Sequence, residues 1–221
     1  MTGSTTSEVD TPHGPVPMET TAPFGSALNV GVLLAHGAGA GRSHPWIVGL
    51  ADALAGSGFT VFTFDYAYMA AGRRAPDRLP KLLDVHQAVA SVATAHADRL
   101  VIAGKSMGGR VGGHLVADGR SDPIAVAYLG YPLVAIGKTV PRSTDHLLGI
   151  GVPQLFVSGD RDPMGPRRMI EGVADSVPDG RTIIVEGGDH SLVPLKRSGA
   201  TIDDSFAIVV RTIGDVVGPS G

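Results

Sequence analysis

The chain has no cysteine, which excludes disulfides, thiolate metal sites and a cysteine nucleophile. Any covalent chemistry has to use another side chain, and nothing points to an oxidising compartment. Charge of one sign is scarce as well: 18 lysines and arginines stand against 21 acidic residues, a net of −3. No strong field would draw such a chain onto nucleic acid or an anionic membrane surface. No segment holds about 18 uninterrupted apolar residues, so no transmembrane span is expected. Residues Met1 to Pro23 are rich in Thr, Ser and Pro and lack the apolar run of about 7 to 15 residues that marks a signal peptide. The expectation is a cytoplasmic location, with neither membrane nor nucleic acid as partner.

The remaining composition suits one packed core. Of 221 residues 43% are hydrophobic, enough for one buried core and too few for two comfortable ones. The 31 glycines and 16 prolines fall below the level that marks disorder and suggest many tight turns. No internal repeat is present. The reading is a mobile N-terminal tail over residues 1–23, with room for a short edge strand at its end, followed by a single domain over residues 24–221. The oligomeric state is not legible.

From Leu28 onward, short apolar runs alternate with longer amphipathic stretches, the sign of a parallel sheet with crossover helices. Val30 to Ala35, Phe59 to Phe64, Leu100 to Ala103, Ile124 to Leu129, Leu155 to Val157 and Thr182 to Val185 read as strands. They are continuous rather than alternating, as expected for strands covered on both faces. Helical spacings link Trp46, Leu50 and Leu54; Leu82, Val85, Val89 and Val92; Val111 and Leu115; and Phe206, Val209, Ile213 and Val217. Pro45 suits a first helical turn, and Asp203 or Asp204 can cap the last helix. The sum is an α/β chain with a mostly parallel, doubly wound sheet in three layers. In such sheets ligands bind outside the carboxyl ends of the strands.

The strongest local signal lies at such an end. Gly104-Lys105-Ser106-Met107-Gly108 is G-x-S-x-G, directly after one expected strand and directly before an expected helix. A serine lifted above a sheet has to sit on a sharp, strained turn, and side chains two positions away would collide with neighbouring backbone. The following helix then points its N-terminus at developing negative charge. A phosphate-binding Walker loop is excluded, because Arg99 stands where its first glycine belongs.

A serine hydroxyl is a weak nucleophile unless a base takes its proton. Of eight histidines, His190 is best placed, in the loop Gly187-Gly188-Asp189-His190-Ser191 after the last strand. His86 and His96 lie in a helical pattern, His13 in the tail and His114 past the serine turn, so they read as solvated or core-packed. The base in turn needs an acceptor for its other nitrogen. Gly159-Asp160-Arg161-Asp162 follows a strand, and Asp162 fits the Gly-x-x-Asp that many proteins of this arrangement show there. Asp160 is the alternative; its other role would be to pair with Arg161 or Arg168. The order Ser, Asp, His is that of the α/β-hydrolase fold.

Two backbone N–H groups are then needed for an oxyanion. Met107 supplies one by position, and Ala38, in the loop His36-Gly37-Ala38-Gly39-Ala40-Gly41, is the other candidate. As a dinucleotide fingerprint that loop is a weak signal, its glycines being spaced G-x-G-x-G and no acidic residue before Asp65 closing the next strand in a ribose-binding setting. His36 reads as structural. Gly37, Tyr68 and Tyr131 are the candidate substrate-binding residues, with Tyr66, Met69 and Leu133 nearby; Arg73 and Arg74 read as a solvated basic loop. No metal or cofactor is called for.

Together, His36 to Trp46, Phe64-Asp65-Tyr66 with Arg73-Arg74, Ala103 to Arg110, Leu129 to Leu133, Phe156 to Gly165 and Gly188 to His190 resemble a family of small α/β-hydrolases. It includes bacterial dienelactone-hydrolase-like proteins and the animal testis-expressed and nonspecific-lethal-complex subunit 3 type proteins. The resemblance runs from about residue 28 to 215, and it implies Ser106, Asp162 and His190 as the matching triad positions. It also implies a three-layer α/β-hydrolase fold. Only about twenty residues, Gly130 to Gly149, follow the strand after which many relatives insert a lid, so no cap domain is expected. Dienelactone hydrolases proper carry cysteine where Ser106 stands. The expected activity is hydrolysis of a small carboxylic ester, or a related thioester or amide, through an acyl-serine intermediate. The rival is a non-catalytic interaction module that keeps the serine turn as architecture.

Overall fold

A computed structural model describes residues 3–218. Its centre is an eight-stranded sheet in the order β1-β2-β4-β3-β5-β6-β7-β8. The strands are β1 (Ser4–Val9), β2 (Val16–Thr21), β3 (Val30–Ala35), β4 (Thr60–Phe64), β5 (Arg99–Lys105), β6 (Ala125–Leu129), β7 (Gln154–Gly159) and β8 (Gly180–Val185). From β4 through β8 every pairing is parallel, while β1–β2 and β2–β4 are antiparallel.

The inner parallel strands are largely apolar on both faces because helices cover both. In β3, Val32 and Leu34 face one side with α1 (Pro45–Gly56) and α6 (Ile202–Val217), packing on Leu50, Leu54, Val209 and Ile213. Leu33 and Ala35 face the other, toward α3 (Leu79–Ala95) and α4 (Met107–Ala117). Tyr128 and Phe156 continue that second face to α5 (Arg167–Ser176). A short helix, α2 (Ala67–Ala70), follows β4. The three layers and the strands expected beyond residue 30 are therefore present, and no inserted lid interrupts them. Among the described residues no helix is long and apolar enough to cross a membrane.

Two expectations are corrected. Within the supposed tail, Ser4–Val9 and Val16–Thr21 form paired strands of the sheet rather than a mobile segment, and Met1 and Thr2 lie outside the described residues. In β2, Val16 and Met18 are buried against the sheet, but β1 buries only Val9 and owes its form to pairing with β2. A polar edge strand has no hydrophobic period of its own to read. The last helix is capped by Thr201, whose hydroxyl accepts the Asp204 N–H while Asp204 accepts from the Thr201 N–H, a capping box rather than an aspartate cap.

The order β4-β3-β5 places a reversal of direction between β3 and β5. The loop after β3 and the turn after β5 lead to opposite sides and leave a crevice at the carboxyl ends of these strands. The expected site residues lie around that crevice.

Candidate active site

Ser106 sits between β5 and α4 with φ 51° and ψ −112°, a region costly for any residue with a side chain. Its neighbours show why glycine flanks it. A methyl group on Gly104 would strike the backbone of Gly108 and Gly109, and one on Gly108 would lie 2.6 Å from the carbonyl oxygens of Ala35 and His36. The Ser106 N–H donates to the Leu129 carbonyl across 2.9 Å, which anchors the turn to β6.

His190 is brought to this turn by a loop fixed at several points. The Asp189 carboxylate accepts the N–H groups of Ser191 (2.7 Å) and Val193 (3.1 Å). Trp46, on α1, donates its indole N–H to the Ser191 carbonyl (2.7 Å), and Ser205, on α6, donates its hydroxyl to the Leu192 carbonyl (2.7 Å). Leu192 is held at φ 61° within this knot. His190 Nε2 then lies 2.9 Å from Ser106 Oγ, and Nδ1 lies 2.8 Å from Asp162 Oδ2.

Asp162 is the aspartate that meets the imidazole; Asp160 is exposed and does not. The Asp162 side chain is buried, and its second oxygen accepts the Met164 N–H at 2.8 Å. Both oxygens are thus committed, and the carboxylate can only accept. Nδ1 therefore carries a proton, leaving the Nε2 lone pair for the hydroxyl of Ser106. The arrangement can transfer a proton from a serine hydroxyl to an imidazole held in the correct tautomer.

The loop after β3 is built from within. His36 is fully buried; its Nε2 accepts the Tyr66 N–H (3.1 Å), so Nδ1 carries the proton donated to the Gly37 carbonyl (2.7 Å). Burial holds His36 below the ordinary histidine range, so its 3.8 Å approach to Asp65 involves a neutral ring. Asp65 instead accepts the Arg42 N–H at 2.7 Å and braces the far end of the loop. Tyr68 donates its hydroxyl to the Ala38 carbonyl (2.9 Å). Across a planar trans peptide the N–H points opposite to the carbonyl. With the carbonyls of Gly37 and Ala38 engaged by His36 and Tyr68, the N–H groups of Ala38 and Gly39 are turned the other way. Met107 opens α4, so its N–H is among the first-turn amides that have no partner inside the helix.

A cavity of about 330 Å³ opens here, its lining including Gly37, Ala38, Lys105, Ser106, Met164 and His190. Among the described residues, three further hollows are lined without histidine. Of the candidate substrate-binding residues only Gly37 lines the cavity. Tyr68 is buried behind the loop as its support. Tyr131 turns inward to pack edge-on against Tyr128 and Phe156. Both tyrosines gain more from burying a large ring than from facing an open crevice. Arg73 pairs with Asp77 at 2.8 Å and takes no part. Sequence reasoning missed Lys105, Ile47, Ile136, Met164 and the indole of Trp46; Lys105 was inside the motif itself.

Residues 29–218 match the family described as alpha/beta hydrolase domain. Among solved structures, an α/β serine hydrolase without lid from Xanthomonas campestris is 18% identical, with TM-score 0.73 over 92% of this chain and 90% of that one. An α/β serine hydrolase homologue from Coxiella burnetii is likewise 18% identical, with TM-score 0.77 over 97% and 99% of the two chains. A dienelactone hydrolase from Anabaena variabilis is 17% identical, with TM-score 0.74 over 95% and 96%. Identities this low carry the fold.

Proposed function

Because the chain belongs to the alpha/beta hydrolase domain family, we propose that it is a serine hydrolase that cleaves a small carboxylic ester through an acyl-serine intermediate. The observation that carries the reading is the relay from Ser106 Oγ to His190 Nε2 (2.9 Å) and from His190 Nδ1 to Asp162 (2.8 Å), on a serine held at φ 51°. Strain of this kind persists only where the surroundings over-determine it, and it clusters at functional turns.

In the proposed cycle Ser106 Oγ attacks the ester carbonyl carbon as its proton passes to Nε2. The resulting oxyanion accepts hydrogen bonds from the N–H groups of Ala38 and Met107, a stabilisation worth about 3–4 kcal/mol per donor in well-formed sites. Collapse breaks the bond to the alkoxy oxygen, which leaves as the alcohol with the proton from Nε2. A water then attacks the acyl-serine and gives a proton to Nε2; that proton returns to Oγ as the carboxylic acid departs. Asp162 stays ionised throughout and stabilises the imidazolium. The crevice carries no lid, which suits small or accessible esters.

The likeness to the nonspecific-lethal-complex subunit 3 type proteins rests on shared motifs and belongs to this proposal, as does the rival of a protein-interaction module. A fluorophosphonate probe separates the two. Labelling of wild type and not of Ser106→Ala is the expected result; an unlabelled wild type that is fully folded would refute the hydrolase. p-Nitrophenyl esters of graded chain length then define the acyl group.

A further inference from the structure

Lys105 immediately precedes Ser106 and lines the same cavity. Its ammonium lies 5.6 Å from the centroid of the Trp46 ring. That ring is itself fixed, by its N–H bond to Ser191 (2.7 Å) and by an edge-to-face contact with Phe206 at 5.4 Å. Burial holds the lysine below its ordinary range, opposed by the charges of Asp189 and Asp162. Yet neither carboxylate pairs with it. Asp189 is spent on the N–H groups of Ser191 and Val193, and Asp162 on His190 and Met164. Among the described residues no side chain or carbonyl accepts a hydrogen bond from Lys105 Nζ. The three donors of this half-buried ammonium therefore face the open cavity, free for water or a ligand.

We infer that Lys105 makes the cavity selective for esters that carry a carboxylate a few bonds from the scissile carbonyl. The inference rests on the reading of Ser106 as nucleophile and adds the substrate class. Lys105 and Ser106 line one cavity, so a group held by this ammonium shares the cavity with the reacting ester. One ammonium matches the single charge of a carboxylate. A phosphate dianion is served by clustered cations or a forked guanidinium, and the cavity lining holds no arginine and no second lysine. The indole face steadies the cation without neutralising it, so the charge remains available to a ligand.

Two substrate pairs test this, one per side of the ester. The first sets the mono-p-nitrophenyl ester of adipic acid against p-nitrophenyl hexanoate; the second sets 4-acetoxybenzoate against 4-acetoxybenzamide. The readout is the ratio of kcat/KM, charged over neutral, within each pair. A charge-assisted hydrogen bond predicts that in one pair Lys105→Met lowers this ratio by about ten- to a hundred-fold, mainly through KM, and that Lys105→Arg retains most of it. Adipate should compete with the neutral ester for wild type and lose that competition in Lys105→Met. Should Lys105→Met not fold, Lys105→Gln serves the same comparison. An unchanged ratio in both pairs, or no competition by adipate, would overturn the inference. If an uncharged fluorophosphonate still labels Ser106 and the neutral esters turn over, only the substrate class has failed. If wild type is neither labelled nor active, the nucleophile reading has failed with it.

Discussion

Replacing Asp162 by asparagine tests the site most sharply, because the two oxygens of this carboxylate have different partners. One accepts the Met164 N–H and the other accepts from His190 Nδ1. Asparagine keeps one acceptor and puts a donor in place of the second. With its oxygen toward Met164, its amide faces Nδ1, which then has to be the unprotonated nitrogen. The proton moves to Nε2, and the imidazole donates to Ser106 instead of accepting from it. The flipped amide rescues the tautomer only by setting a donor against the half-buried Met164 N–H, at a cost of about 1–3 kcal/mol. The competent form is therefore outweighed by about five- to a hundred-and-fifty-fold at 1.36 kcal/mol per tenfold. Loss of the charge that stabilises the imidazolium adds to this, and the total expected fall in kcat is about 10³- to 10⁴-fold. Hydrolysis of p-nitrophenyl acetate measures it, with urea unfolding to show that the variant is folded. A folded Asp162→Asn enzyme within tenfold of wild type would refute the assignment of the acid.

Three further outcomes follow from particular contacts. Gly108→Ala drives a methyl to 2.6 Å from two backbone carbonyls, which cannot rotate away, so urea unfolding should show a loss of roughly 3 kcal/mol; a variant as stable as wild type would show that the turn is not so tightly packed. Tyr68→Phe releases the Ala38 carbonyl (2.9 Å) and a longer contact to the Gly37 carbonyl (3.5 Å), whose peptide carries the Ala38 N–H, so kcat should fall about three- to tenfold with KM little changed, as expected for a support of a donor that acts on transition-state charge; a pure KM effect would place Tyr68 in binding instead. Burial pushes His86 down to about 3 from an ordinary 6.5, so between these values the unfolded chain binds the proton that the folded chain excludes. Stability is then full above about pH 6.5 and is lost as pH falls toward 3, by about 2 kcal/mol at pH 5. The difference in unfolding free energy between pH 8 and pH 5 should shrink by that amount in His86→Gln, and an equal difference in both proteins would contradict the burial of a neutral ring.

Some of this was legible because its causes are local. The serine turn declares itself in five residues, since backbone crowding at Gly104 and Gly108 permits no side chain. The apolar runs from residue 30 onward read as strands because burial on both faces favours continuous apolar stretches over alternation. Other features depend on partners that the order of residues does not disclose. The polar strand Ser4–Val9 exists through its neighbour. Tyr68 and Tyr131 follow strands just as pocket residues would, yet one supports a loop and the other fills the core. The indole that steadies Lys105 reaches a carbonyl 145 positions away.

The sequence by itself determined the layered sheet, the strained serine and the order of serine, aspartate and histidine, because short-range sterics and the period of apolar residues set these. Only the tertiary structure decided which aspartate meets His190, which tyrosines leave the crevice and that Lys105 faces the cavity without a counter-ion. Those outcomes turn on competition among distant groups for a few buried hydrogen bonds, and that competition is settled when the chain packs.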